Sequence, residues 1–336
     1  MLVLYAFTHF LVDFSCAYFI YSRFLDPSQW VLCLVLYNFC AFAMQAPLGL
    51  LCDRLNKNAV MAALGCVIVA LSAIFSKYSV AACVIAGIGN AFFHLGGGID
   101  ILNESTEKSG KLGVFVSPGA FGIYFGTMLG KTRTLSYILP MILLFAAAFL
   151  ILLISSRRNL LQKSANAPLS FISFKEKSLV IAAICFFWVV ILRSLAGNLM
   201  SFPWKKGTWG LLFTCGVVFG KTFGGFLSDR FGAVRSGTVT LGLSAILFCF
   251  ADHPVPGVLA VFLFNMTMPL TLWAIARCFP NLKGFTFGLL TLALFLGLVP
   301  VIAQWIPSEI PNVFFSVTSV LSAVILLYGF RKGELC

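Results

Sequence analysis

The sequence predicts an all-α polytopic membrane protein, with twelve transmembrane helices in two pseudo-symmetric six-helix bundles. Three observations carry this prediction. Of 336 residues, 60% are hydrophobic and 10% charged, with a mean hydropathy of +1.00. No soluble core needs so much apolar surface. The apolar residues fall into stretches close to the roughly 20 residues that cross a bilayer as a helix. A nine-residue segment at the end of the second stretch recurs, in altered form, 176 residues later.

The twelve expected spans cover roughly 2–22, 29–52, 58–76, 79–101, 110–130, 135–155, 178–200, 207–228, 236–251, 255–277, 284–304 and 311–330. They consume most of the chain and leave no room for a soluble domain. The longest polar connection is the basic segment at 155–177. This gives an N-terminal bundle at 1–155, a cytoplasmic linker at 156–177 and a C-terminal bundle at 178–336.

The net charge of +12 is not a nucleic-acid signal, because of where the cations lie. Counted from the chain start, alternate loops hold fifteen of the 23 Lys and Arg residues on one side, including Arg157, Arg158 and Lys163. The other side holds six, and Arg193 and Lys221 lie inside spans. Cation-rich loops stay in the cytoplasm, so both termini are expected there. His9 and Asp13 interrupt the first span and argue against a signal peptide. The eleven cysteines are scattered mostly within spans and read as small apolar packing residues. Cys336 ends the chain, which is the wrong place for a prenylation box. The sequon at Asn103 falls on the cytoplasmic side and should be silent. Trp204 and Trp209 flank a short external loop and read as interface anchors.

The repeat pairs "GLLCDRLNK" at 49–57 with "GFLSDRFGA" at 225–233. Gly49, Asp53 and Arg54 match Gly225, Asp229 and Arg230. Each copy closes the second span of a half, as expected for a transporter built of two parallel repeats. The small residues allow close helix approach. The carboxylates can cap the N-terminus of a neighbouring helix, worth about 0.3–1 kcal/mol. G-x-L-x-D-R between spans two and three, repeated in the second half, resembles the signature loop of the major facilitator superfamily. The first copy has Asn56 where that family prefers glycine. The resemblance implies alternating access, gating by the two loops and a monomer. Four further stretches are similar to the fosmidomycin-resistance-type drug exporters: "HFLVDF" at 9–14, "GIGNAFFHLGGG" at 87–98, "SPGAFGIYFG" at 117–126 and "LRSLAGNLMSFPW" at 192–204. The glycine-rich fifth span goes with antiport in the superfamily, although Thr127 stands where such antiporters carry proline.

The ionisable residues inside spans are the candidates for function. His9 and Asp13 are one helical turn apart, about 6 Å along the axis. A charge at mid-bilayer costs roughly 2.5–3.5 kcal/mol on insertion scales, so such groups face a cavity and have partners. A carboxylate alternating between dry and cation-paired surroundings takes up and releases a proton. Asp13 is the expected carrier, His9 its relay and Arg193 its cationic partner in the repeat-mate span. The competing reading is a static ion pair between the halves. His94 and Asn90, one turn apart in span four, are candidates for substrate binding; for His94, a share in the proton path and a structural histidine are the alternatives. Gly96, Gly97 and Gly98 suggest a bend there, and Asp100 a solvated cytosolic position. Lys221, eight residues before Asp229, stands about 12 Å from the inner end. It either adds positive charge to a cavity or pairs near the inner gate. Asn38, Asn265 and Gln304 either orient a ligand or bond a neighbouring helix.

The expected function is a proton-coupled exporter of small amphiphilic or anionic compounds in a bacterial plasma membrane. A proton-coupled uptake symporter for a nutrient is the alternative. An intramembrane enzyme using His9, Asp13 and His94 is a third reading. Against it, the sequence has no HExxH, CxxC pair, nucleophile elbow or phosphate loop. Neither a resident metal nor a cofactor is expected.

Overall fold

The structure, a computed structural model, describes residues 1–24, 28–158, 166–307 and 309–335. Lys163, part of the linker and Cys336 lie outside the described residues. Among the described residues there are helices and no strands. Among the described residues, eleven helices are long and apolar enough to cross a membrane: α1 (Leu2–Phe24), α2 (Trp30–Leu55), α3 (Asn58–Phe75), α4 (Ser79–Asn103), α5 (Gly110–Thr132), α6 (Ile138–Arg157), α7 (Lys177–Leu199), α8 (Gly207–Phe231), α10 (Pro254–Cys278), α11 (Lys283–Ile302) and α12 (Asn312–Lys332). Between α8 and α10 lies α9 (Ala233–Phe248), apolar but only 16 residues long. It is the ninth expected span, cut short by a turn that begins at Cys249.

Local chemistry sets the ends and breaks. α2 ends on Asn56, whose backbone is left-handed at φ 50° and whose N–H bonds the carbonyl of Cys52 at 2.9 Å. α8 ends on Gly232, at φ 86°, with its N–H 2.9 Å from the carbonyl of Ser228. These two residues are repeat-mates. Positive φ after a helix favours glycine first and asparagine next, which explains Asn56 in the first copy. The ladder of α5 breaks at Ser117, next to Pro118, which has no N–H to donate. The break in α10 at Met266 precedes Pro269, whose ring crowds the carbonyl four residues back.

The chain divides into two compact units. The first comprises Met1–Glu104, Pro118–Leu169 and Asn281–Leu292; the second comprises Ser105–Ser117, Ser170–Pro280 and Ala293–Cys336.

In the first unit, α3 and α4 meet through small residues. A Cβ on Gly89 would lie 2.7 Å from the backbone N of Val69, and one on Gly96 would collide with Ala62 and Asn58 backbone. Gly96, Gly97 and Gly98 are buried within an unbroken helix from Ser79 to Asn103. The helix is therefore not interrupted at these glycines: the missing side chain of Gly96 admits a neighbouring helix, and α4 runs on through them. α1 and α5 meet in the same way. Gly122, Gly126 and Gly130 sit against the carbonyls of Phe10, Phe14 and Tyr18, one turn apart along α1.

In the second unit, Gly216 and Gly220 of α8 face the carbonyls of Val258 and Phe262 on α10. Phe248, Phe264 and Phe315 form part of the aromatic core, with Phe248–Phe315 ring centres 5.5 Å apart. Trp204 donates its indole N–H to Ala251 O at 2.7 Å and stacks on Phe202 at 5.2 Å. It therefore closes the loop before α8 against its own unit. Lys205 in that loop donates to Met200 O at 2.9 Å and lies 3.8 Å from the Phe213 ring centre. Burial pushes its ammonium down to about 8.

Candidate functional site

The site is assembled where α1, α4 and α5 meet in the first unit. On α1, the i, i+4 spacing puts His9 Nε2 3.2 Å from Asp13 Oδ2. On α4 the same spacing aligns Asn90 and His94. Asn90 donates through Nδ2 to Asp13 Oδ1 at 2.9 Å. His94 Nε2 lies 2.9 Å from His9 Nε2 and 3.8 Å from Asp13 Oδ1. The two rings meet edge to face, with centres 4.5 Å apart. From α5, Gly119 abuts Asp13 Oδ2 and His9 Nε2 so closely that a Cβ there would collide with both. His9, Asp13, Asn90 and His94 are all buried, at 5%, 9%, 1% and 8% exposure.

One hydrogen bond orders the protons. His94 Nδ1 faces the carbonyl of Asn90 at 2.9 Å, and a carbonyl only accepts. Nδ1 therefore carries hydrogen, and in the neutral ring Nε2 presents a lone pair toward His9. With both rings neutral, the matching hydrogen belongs on His9 Nε2, which lies 2.9 Å from His94 Nε2 and 3.2 Å from Asp13 Oδ2. Two imidazoles and a carboxylate thus converge on one point. Asn90 Oδ1, one bond from the amide nitrogen that holds Asp13, is buried with no hydrogen-bond partner.

Arg193 is buried on α7 in the second unit, where NH1 donates to Thr271 Oγ1 at 3.4 Å. Its neighbour Ser194 donates to Leu294 O at 2.6 Å. Lys221 is half-buried on α8. Asn38 and Asn265 each donate to a carbonyl four residues back, Leu34 O at 2.8 Å and Val261 O at 2.9 Å. Gln304 requires a correction. α11 ends at Ile302, and Gln304 lies exposed in the following turn at φ 56°. It does not project from a span.

The repeated loops hold helix starts. Asp53, buried at 6%, accepts the N–H groups of Gly284 at 2.8 Å and Phe285 at 3.0 Å, at the beginning of α11. Gly49 packs directly on Gly284. In the second unit, Asp229 accepts from Ser109 N at 2.6 Å and Gly110 N at 3.0 Å, at the beginning of α5. Gly225 packs on the same turn. Each carboxylate meets the positive end of a helix dipole and two otherwise unsatisfied donors. Each also holds a helix that belongs to the other half of the sequence. Arg54 and Arg230 are exposed, with Arg230 lying 5.4 Å from the Phe231 ring centre.

One polar network was not legible in the sequence. Asp100 is not a solvated loop residue: it is half-buried in α4, accepting from Tyr5 Oη at 2.7 Å and Asn58 Nδ2 at 2.8 Å. Asn166, from the linker, accepts from Asn58 at 2.9 Å and Asn103 at 2.8 Å. Lys283 reaches Asn103 Oδ1 at 2.9 Å. No local pattern marks these partners, because each contact joins residues dozens of positions apart.

No family model and no curated protein matches this chain. Solved structures do match in shape. The E. coli fucose:proton symporter is similar over 99% of this chain and 97% of its own, with TM-score 0.67 and 12% identity. A second structure of that transporter, in the outward conformation and described as a major facilitator superfamily transporter, gives TM-score 0.65 at 12% identity, covering 99% of this chain and 97% of that one. A bacterial homologue of the iron transporter ferroportin, in the outward-facing state, gives TM-score 0.64 at 12% identity, covering 99% and 98%. The chain is a helical membrane protein with the major facilitator fold.

Proposed function

We propose that this protein is a proton-coupled secondary transporter working by alternating access, and that it exports small amphiphilic or anionic compounds. The observation that supports this most is the burial of Asp13 with His9 and His94 among the helices of the first unit. In a static role a carboxylate needs only fixed hydrogen-bond donors, as Asp53 has in two backbone N–H groups. Here two imidazoles and an amide share it, and a proton can move among three acceptor atoms with little motion of the side chains.

In the proposed cycle, Asp13 is the proton carrier and His9 and His94 relay the proton to and from it. Arg193 supplies the opposing cation in the state that keeps Asp13 ionised. Arg193 and Lys221 give the transport path a positive field that attracts an acidic group on the substrate. Asn90 then serves mainly to orient Asp13, while Asn38 and Asn265 are available for substrate once their helix carbonyls are exchanged for a ligand. Gly49, Asp53 and Arg54, with Gly225, Asp229 and Arg230, form the gate: releasing a helix start from its carboxylate costs a small, reversible free energy. The chemistry is transport and not bond-making. In this reading the protein works as a monomer in a bacterial plasma membrane, with both termini cytoplasmic.

Proteoliposomes with an imposed pH gradient test the reading. Wild-type protein should move substrate against its gradient with coupled proton flux, and Asp13→Asn should abolish that coupling. Gradient-driven accumulation by Asp13→Asn would rule out the carrier role. The sign of the lumenal pH change on adding substrate separates export from uptake. Uptake remains the second reading, since the matched E. coli structure is of a proton symporter.

A further inference from the structure

The convergence of His9, Asp13 and His94 is also a ligand set for a metal ion. A late first-row divalent cation wants imidazole nitrogen and carboxylate oxygen at about 2.0–2.2 Å. Two such nitrogens on one tetrahedral ion are about 3.3 Å apart by the same bond lengths. The two Nε2 atoms are 2.9 Å apart, and Asp13 oxygens lie 3.2 Å and 3.8 Å from them. One donor atom from each residue falls within 4.8 Å of the others. Seating an ion requires the two ring nitrogens to part by a few tenths of an ångström.

The surroundings match what holds metal ligands in place. A ligating histidine uses its other nitrogen to grip a carbonyl, which fixes the tautomer and aims the lone pair. His94 Nδ1 grips Asn90 O at 2.9 Å in this way. A ligating carboxylate is steadied by a hydrogen bond, and Asn90 Nδ2 supplies it at 2.9 Å. Asn90 Oδ1 is a buried acceptor without a partner, suited to a water molecule that completes the ion's coordination. His9 ligates through Nε2 once its ring proton shifts to Nδ1, so the protein needs no change in proton count. The donor set of two nitrogens and one carboxylate disfavours calcium and magnesium, which take oxygen ligands.

We propose that His9, Asp13 and His94 form a binding site for a Zn2+-class divalent transition-metal ion. The proposal rests on the geometry of the cluster and not on proton coupling. The test uses full-length detergent-solubilised protein without a polyhistidine tag, titrated with Co2+ and followed by its visible absorption, then competed with Zn2+. The chain has three histidines, and His253 is exposed, so His253→Gln is the baseline. One Co2+ per chain should bind to wild type and His253→Gln. Affinity should fall at least about a hundredfold in His9→Gln, His94→Gln and Asp13→Asn. Retained one-to-one binding in those variants overturns the proposal, as does the absence of saturable Co2+ binding to wild type. X-ray absorption of the wild-type Zn2+ complex covers the case in which variants misfold. It should show two imidazoles in a shell at about 2.0–2.1 Å, and sulfur ligation overturns the proposal. Binding is measured at equilibrium without a gradient, so proton-driven flux with no metal binding sinks this proposal alone, and metal binding without proton coupling sinks only the transport cycle.

Discussion

At the residue scale, glycine and asparagine carry as much of the argument as the charged groups. Gly119 touches both Asp13 and His9, so a methyl group there has no space except by displacing them. Gly119→Ala should cost about 1–3 kcal/mol through overpacking, read as a lower melting temperature in detergent. It should also weaken Co2+ binding. Gly126→Ala, which meets Phe14 O and Ala17 instead, should lose similar stability and keep the metal site. Equal loss of metal affinity in both variants would place the effect in general unfolding and not in the cluster. Asn56 offers a second residue-scale check. Its Oδ1 accepts from Asn166 N at 3.1 Å, a bond that both variants lose, so the left-handed backbone should make Asn56→Ala about 1–2 kcal/mol more costly than Asn56→Gly. The resemblance to a known loop marked Asn56 as a departure; the backbone explains why it works.

At the scale of elements, the two copies of the loop do the same job with unequal burial. Asp53 is buried and Asp229 exposed, though each accepts two backbone N–H groups at a helix start. Neutralising the buried copy removes a charge-assisted contact with little water to replace it. Asp53→Asn should therefore lower thermal stability by up to about 2 kcal/mol, and Asp229→Asn by less than about 1 kcal/mol. Thermal melts of the two purified variants check the ranking, and a larger loss from Asp229→Asn would contradict it. The capping chemistry was legible, since an acid at a helix end beside a glycine has few other uses. Which helix each acid would cap was not, because Gly284 and Ser109 lie far away in sequence. The same holds for the glycines of α4: a triple glycine in isolation predicts flexibility, and only distant neighbours convert it into close packing, α3 against Gly96 and Phe287 of α11 against Gly98.

At the scale of the whole molecule, the 176-residue offset recurs in structure as well as in sequence. Asn56 and Gly232 end repeat-mate helices with positive φ. Asp13 and Arg193 lie on the repeat-mate helices α1 and α7, one in each unit. Neutralising both, as Asp13→Asn with Arg193→Gln, should leave a protein that inserts and melts cooperatively but drives no flux in proteoliposomes. Undiminished flux from the double variant would favour a role in which neither charge takes part. His94 shows the limit of a linear reading. Its relation to His9 spans 85 positions, so the sequence singled out the histidine without its partner.

The sequence alone determined the membrane class, the all-helical fold, the two-fold repeat and the placing of ionisable residues within apolar spans. These follow from composition, hydropathy and motif spacing, which act locally or by simple addition. The tertiary structure decided which of those residues meet. It brought His94 and Asn90 to Asp13, turned the glycines of α4 and α5 into packing faces, and ended α11 before Gln304. Contacts between helices depend on how side chains interlock across long sequence separations, and no periodicity in one strand of text encodes that.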